Sequence, residues 1–498
     1  MKRIFKISAL LLALLMIVPV IVACNFNNNA GDETESETVI ETDEWGQAVV
    51  NDGIPEDLDY GGKTVNILIR GGQQYRREWI PDTEKEELDA LDQEIVKRNQ
   101  AVSKRIGVTL NYIPYSKSET LNEPVQAAGK NGTGEYDIVS NYAANATSTN
   151  ILQYYMNFNN DVFTYMDLSK PYWNQNFIKD AEAFGKLYVC VGDANLSVYD
   201  RAFVVFFNKA KAETYLSDIN LYQMVLEKKW TYNEFYKIIA NIHDDNGTVE
   251  TTDDFYGVSS IKGSEAFDGF LYSLGANMTQ KDESGNHSLV TDSAYTRLGN
   301  AFTMVYDFWS ADGAWVNPGN SMANYEFFTK GGCLFDIDVM YHYESGNNML
   351  RNMVDGYGIV PMPMYDENQG GYQVGVQDAH NVMSVVNHFK QDYEMISAVL
   401  ECLNSISYST VRPYYIEKIV KGQFLDNDSN SVFGIILEGT RWDFADVYNT
   451  ACGGIREKIW RSPLRKQADS TIDTAYSTNV ESFNGNIATI DEWLRIHW

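Results

Sequence analysis

Asp336 and Asp338 alternate along the run Leu334-Phe335-Asp336-Ile337-Asp338, which reads as a strand. Alternate residues of a strand share one face, so both carboxylates point the same way. Two acids in an otherwise apolar strand need hydrogen-bonding partners, water or a ligand. Such a pair can act as general acid and base on a glycoside, or it can accept hydrogen bonds from the hydroxyls of a captured solute. Tyr341 follows the pair and offers a flat face on which a sugar ring can stack. Aromatic residues form 13% of the chain, with 32 Tyr and 10 Trp, enough to line a cleft even though core packing claims most of them.

Further candidates follow from position, because ligands of α/β sheets contact the loops at the carboxyl ends of strands. Asn141 and Tyr142 close the strand of Tyr136-Asp137-Ile138-Val139-Ser140. Trp173 lies in a polar loop, where burial in the core is the competing role. Asp193 and Asn195 stand in Val191-Gly192-Asp193-Ala194-Asn195, where a hinge cap competes with ligand contact. Asp378 and His380 open a later strand, His380 competing as a satisfied structural histidine. Arg412 and Trp442, in later loops, are the weakest candidates. No H-E-x-x-H, G-x-S-x-G, G-x-G-x-x-G or P-loop pattern is present, and the six histidines have no local metal-ligand spacing. The expectation is therefore no catalysis, no metal and no cofactor. Asp244, Asn246, Thr248 and Glu250 alternate as in a calcium loop, but the sixth position is Val249 and the twelfth is Phe255.

The N-terminus places the chain. Lys2, Arg3 and Lys6 precede an apolar run, Ile7 to Val22, shorter than the roughly 20 residues of a membrane-spanning helix. It ends at Ile21-Val22-Ala23-Cys24, which resembles a bacterial lipobox. Residues 1–23 are thus expected to be a signal peptide, with Cys24 acylated and holding the protein on the outer face of the cytoplasmic membrane. From Asn25 to Tyr60 the chain has eleven acidic residues and no Lys or Arg. Such a segment cannot bury enough apolar surface to offset its ordering entropy, so 24–60 is expected to be a disordered tether. The net charge of −29 excludes nucleic acid or an anionic lipid surface as the main partner. Cys190, Cys333, Cys402 and Cys452 contain no C-x-x-C pair, and whether they form disulfides stays open.

Roughly 435 residues follow the tether, enough for two domains. Val65, Ile67 and Ile69 alternate as a strand; Leu88, Leu91, Ile95, Val102 and Ile106 keep helical spacing up to Gly107; Val108, Leu110 and Tyr112 alternate again. This order predicts a parallel α/β sheet. Thr231 with Glu234 predicts a capping box, and Trp230 with Phe235 a hydrophobic staple. Helical faces follow at Tyr295, Leu298, Phe302, Val305 and Trp309, and at Tyr393, Ile396, Leu400 and Leu403.

From about Gly62 to Ile419 the segments resemble an extracellular solute-binding protein of the carbohydrate type (family 1), the lipid-tethered receptor of an ABC importer. The markers are KTVNILI, RIGVTLNYIPY, YDIVS, the crossing GKLYVCVGDANLSVYDRAFVVFFNKAKAE, WTYNEFYKIIANI, FTKGGCLFDIDVMY and YGIVPMP. The family's G-x-W is replaced here by Asp338-Val339-Met340-Tyr341. The resemblance implies a two-lobed periplasmic-binding-protein-like fold of type II, with the ligand cleft between the lobes. Residues 61–189 plus 318–352 would form the first lobe, and 190–317 plus 353–498 the second, braced by C-terminal helices. It further implies a monomer that captures a sugar or oligosaccharide and delivers it to an ABC permease. A peptide or other small solute is the alternative, and a secreted carbohydrate-active enzyme the alternative of another class.

Overall fold

The computed structural model describes residues 42, 48–81, 88–117, 121–340, 350, 352–420, 427–466 and 471–497. Residues 43–498 form one compact unit, and of the unit 1–42 only Thr42 is described. Cys24, Tyr341, the signal segment and residues 24–41 and 43–47 of the tether therefore lie outside the described residues; the stretch from Ile54 to Tyr60, expected to be disordered, instead packs on the first lobe, with Ile54 buried and Arg105 donating to the Ile54 and Pro55 carbonyls.

The strands of the first half are β1 (Lys63–Arg70), β2 (Val108–Tyr115), β3 (Ile138–Tyr142), β4 (Phe203–Asn208), β5 (His243–Asp244), β6 (Phe255–Ile261) and β7 (Thr279–Lys281). Those of the second half are β8 (His287–Leu289), β9 (Ala314–Asn317), β10 (Cys333–Val339), β11 (Tyr357–Pro361), β12 (Val374–Gly375), β13 (Asn381–Val385) and β14 (Thr440–Arg441). They build two main sheets. The first has the order β13-β3-β1-β2, with β1 parallel to both β2 and β3 and β13 antiparallel to β3. The second runs β11-β4-β10-β6-β5, with β9 also on β6. Each sheet with its helices is one lobe.

Local chemistry explains the first lobe. In β1 Val65, Ile67, Leu68 and Ile69 are all buried, because a parallel strand between two others is covered on both faces. The helix Ala90–Ile106 starts where the Asp89 carboxylate accepts the Asp92 N–H, and it turns Leu91, Ile95, Val102 and Ile106 inward. It stops at Gly107, whose φ is 63° and whose hydrogen faces the Asp59 carboxylate so closely that a Cβ would collide with it. In the second lobe Trp230 packs on Phe235 with ring centroids 4.8 Å apart, forming the expected staple. Thr231 does stand at the N-cap of the helix Tyr232–Ile239, but its side chain makes no capping bond. The capping box is thus absent.

The lobe boundaries need correcting at two places. β10, expected in the first lobe within 318–352, runs through the second sheet between β4 and β6, all seven residues buried. Its Phe, Ile and Val side chains can be covered on both faces only at the middle of a sheet. β13, expected in the second lobe within 353–498, pairs with β3 of the first sheet. The helix Tyr393–Ile406 follows it there and packs on Ala90–Ile106. Only from the helix Asn427–Glu438, seated on β11, does the chain return to the second lobe. The terminal helix Ile472–Ile496 then braces it, burying Phe483, Ile487, Ile490 and Leu494 beside β8 and the helix Asp292–Ser310.

Cys190, Cys333, Cys402 and Cys452 are buried and free, so none of them forms a disulfide. Among the described residues no helix is long and apolar enough to cross a membrane, and no group of three or more His, Cys, Asp or Glu could hold a metal ion.

Glu401, on the helix Tyr393–Ile406, is fully buried and accepts bonds from the Tyr172 hydroxyl and from Trp173 Nε1 at 3.1 Å. Burial pushes its carboxyl up to about 7. A carboxyl raised in the folded state contributes stability that is present below its unfolded value, near 4.5, and is lost as pH rises through about 7. Glu401→Gln should escape that loss. Urea unfolding should show the variant gaining on the wild type by on the order of 2 kcal/mol between pH 5 and pH 8. A pH-independent difference would contradict the assignment.

Candidate functional site

The two lobes are joined by chain segments that run side by side. Cys190 bridges Met383 and Ala202 bridges Val376, both antiparallel, so the first crossing lies against the second. Glu78 is the anchor between them. Its carboxylate, 4% exposed, accepts the Ser197 N–H at 2.8 Å, Asn195 Nδ2 at 3.3 Å and Asn381 Nδ2 at 2.7 Å. Burial raises its pKa, and these bonds oppose the rise. Arg70, the last residue of β1, donates from Nη1 to Ala379 O at 2.8 Å and to Asn381 Oδ1 at 3.1 Å.

Beside this anchor a polar and aromatic cluster spans the seam. The Arg70 guanidinium lies 3.4 Å from the centroid of the Tyr75 ring and 4.4 Å from that of Tyr142; Arg201 lies 6.0 Å from Tyr75. Burial, opposed in part by the two tyrosines, lowers the Arg70 pKa to about 10. Arg201 Nη1 donates to Gln377 Oε1 at 3.3 Å, and Gln377 Nε2 donates to Ser264 Oγ at 2.9 Å and Glu265 Oε1 at 2.8 Å. Burial, then the charge of Asp338, pushes the Glu265 carboxyl up to about 7. Burial and the charges of Asp338, Asp336 and Glu265 raise the Tyr325 phenol as well.

Each member sits at the end of an element. Arg70 and Tyr142 close β1 and β3, and Tyr75 lies in the helix Gln73–Arg76 just beyond β1. Gly71, at that bend, has Tyr115 O where a Cβ would stand, at 2.5 Å, so no larger residue fits. Glu265 begins the helix Ser264–Ser273, and Asp338 lies at the end of β10. Tyr75, Tyr142, Arg201 and Glu265 are half-buried, which leaves them open to a solute. The cluster supplies ring faces, cationic donors and carboxylate acceptors.

Of the residues expected from sequence, Tyr142 and Asp338 belong to this cluster. Asn141 turns into the first lobe, its Nδ2 donating to Asn122 Oδ1 at 2.7 Å and to the Tyr155 hydroxyl at 3.2 Å. Asp336 is buried under the helix Ser321–Thr329, accepting from Asn324 Nδ2 at 2.7 Å and Ser259 Oγ at 3.2 Å. Trp173 is buried against Glu401. Asn195 is an anchor residue, as above. Asp193, on the first crossing, pairs with Tyr199 of the same crossing and with Arg412. Asp378 is held by Arg456 at 3.2 Å and Arg461 at 3.5 Å; burial raises its pKa, but the two arginines outweigh that and keep it below the usual carboxylate range. His380 Nδ1 donates to Gln377 O at 2.9 Å; the ring edges onto Phe177 and Trp442, and burial pushes its pKa down to about 4, so it stays neutral. Arg70, Tyr75, Arg201, Glu265 and Gln377 went unselected. A signal existed for Arg70, a charge closing an apolar strand before Gly71-Gly72, by the same rule that selected Tyr142.

Asp336→Ala should leave Asn324 and Ser259 without their acceptor and lower the unfolding free energy by about 1–3 kcal/mol. Urea titration checks this, and a loss below roughly 0.5 kcal/mol would return Asp336 to the candidates for ligand contact.

No family model matches the chain, and no curated protein matches it in sequence. Solved structures do match. The sugar-binding protein MalE from the phytopathogen Xanthomonas citri is similar with a TM-score of 0.55 at 12% identity, over 88% of this chain and 100% of that one. A cyclo/maltodextrin-binding protein complexed with maltotetraose gives 0.53 at 11% identity, over 86% of this chain and 97% of that one. Maltose-bound MalE3 of T. maritima gives 0.50 at 13% identity, over 87% and 100%. This chain therefore has the two-lobed α/β fold of these sugar-binding proteins.

Proposed function

We propose that the protein is the solute receptor of an ABC importer, that it captures a sugar or oligosaccharide at the seam between its lobes, and that it passes the solute to a membrane permease without chemical change. The observation that carries this reading is the seam cluster, to which both lobes contribute. Tyr75 and Tyr142 offer faces for a pyranose ring, while Arg201, Gln377, Glu265 and Asp338 offer donors and acceptors for hydroxyls. The same fold in the structures named above holds maltotetraose and maltose, which supports a saccharide here. In this reading the lobes close on the solute, driven by its higher affinity for the closed arrangement.

One observation favours a second reading. Arg201 faces the Glu265 and Asp338 side of the seam through Gln377, and such a cation–carboxylate pair suits the two termini of a peptide. Thermal unfolding with malto-oligosaccharides, monosaccharides and short peptides separates the two. At about 100 times Kd a true ligand should add roughly 2.7 kcal/mol of stability, and Arg201→Ala or Asp338→Ala should erase most of that gain. Stabilisation by peptides with none by any saccharide would replace the first reading with the second.

The protein works, in this proposal, as a monomer tethered through an acylated Cys24 on the outer face of the cytoplasmic membrane. The part of its acidic segment that precedes Ile54 would keep the receptor clear of the lipid surface. Cys24→Ser should move the protein from the membrane fraction to the medium, as read by immunoblot of both. Retention in the membrane would refute the anchor.

A further inference from the structure

Away from the seam cluster, and sharing no residue with it, lies a cavity of about 330 Å³. One wall is the first-lobe segment Trp173–Asn176, which runs into the helix Gln175–Ala181; another is the first crossing at Asp193 and Tyr199, with Arg412 beside them. The remaining wall is the end of the helix Asn427–Glu438 with Thr440 of β14, on the second-lobe side. Asn176 Nδ2 donates across the gap to Glu438 O at 3.1 Å.

Asp193 dictates what the cavity can hold. The residue is 6% exposed, and its Oδ1 accepts the Tyr199 hydroxyl at 2.7 Å and lies 3.4 Å from Arg412 Nε. Its Oδ2 is buried and has no hydrogen-bond partner among the described residues. A buried carboxylate oxygen left without a donor costs free energy, so a donor belongs there. Arg412 already neutralises the carboxylate, which leaves little attraction for a further cation. An anion would be repelled by Oδ2, and an apolar molecule would leave it unsatisfied. Hydroxyl groups meet the requirement, since each donates one bond and accepts others. The asparagine, glutamine and threonine side chains around Asp193, with Trp173 and Tyr199, are the residue types that contact a polyol. The volume sits at the low end of the roughly 300–1,000 Å³ typical of small-molecule sites, and it equals about ten waters at roughly 30 Å³ each.

We propose that this cavity is a second binding site, for a small neutral polyhydroxylated molecule of about one sugar ring, with Asp193 Oδ2 as its principal acceptor. Because the walls come from both lobes, an occupant favours the lobe arrangement in which those walls meet. The site stands independently of what the seam captures.

Saturation-transfer NMR on the full chain tests it, with D-glucose and glycerol as probes. Transfer to glucose protons is expected in the millimolar range. It should weaken at least about tenfold in Asp193→Asn, equivalent to about 1.4 kcal/mol, and equally in Asn176→Trp, whose indole fills the space from another wall. Arg201→Ala, which removes the seam's own share of any sugar binding, should leave a transfer that Asp193→Asn still abolishes, and thermal unfolding confirms that each variant is folded. Absence of transfer up to roughly 100 mM would mean that water alone occupies the cavity and would overturn the proposal. Transfer abolished by Arg201→Ala but kept in both cavity variants would place the sugar at the seam and overturn it as well. That second outcome would leave the function proposed for the seam intact.

Discussion

The buried Glu78 carboxylate is the constraint on which the arrangement of the lobes rests. It accepts from both crossings at once, through Asn195 and Ser197 of the first and Asn381 of the second. A carboxylate buried with three donors is stable; the same carboxylate with its donors withdrawn is expensive. The two crossings are therefore held at fixed separation where they leave the first sheet. Arg70 lies against the same asparagine and carries that fixed geometry to Tyr75 and Tyr142. The seam cluster is built on an anchored floor, which is what a site facing a moving lobe requires.

A second charge network ties down the second crossing. Arg456 reaches Asp268, Asp378 and Asp446 at 3.6, 3.2 and 3.3 Å, and Arg461 grips Asp268. These acids come from the helix Ser264–Ser273, the second crossing and the short helix Phe444–Val447, so one cluster binds three distant parts of the chain. Two guanidinium groups face three carboxylates, and burial, opposed by Arg456, pushes the third, Asp446, up to about 6. The Tyr272 hydroxyl donates to the same Asp446. Networks of this kind add specificity of arrangement more than net stability, because desolvation offsets most of the attraction. Asp378, selected from sequence as a ligand contact, is engaged in this network instead.

Much of the fold was legible because it follows from near-neighbour rules. The alternation in β1, the helical spacing up to Gly107 and the Trp230–Phe235 staple are local patterns, and each appears where expected. The lobe assignments of β10 and β13 were not legible. A strand flanked by apolar residues on both faces can join any sheet, and which one it joins depends on partners more than a hundred residues away. Asp336 and Asp338 show the same limit within one strand. They share a face, as alternation demands, yet Asp336 meets Asn324 and Ser259 while Asp338 stands beside Glu265. Two residues along the strand take the chain from beneath a covering helix to the edge of the seam.

The sequence by itself determined the fold class, the acidic character of the chain, and the borders of most elements. Those properties are sums over composition or patterns within a few turns of chain. Only the tertiary structure decided which polar residues are bonded inside a lobe and which are left facing the seam. Asn141, Trp173 and Asp336 have the residue types of ligand contacts, but they are hydrogen-bonded to neighbours distant in sequence. Arg70, Tyr75, Arg201, Glu265 and Gln377 become a group only where two sheets meet. Whether a polar side chain serves a solute or the core depends on which partners folding brings within about 3 Å of it, and no local pattern records that.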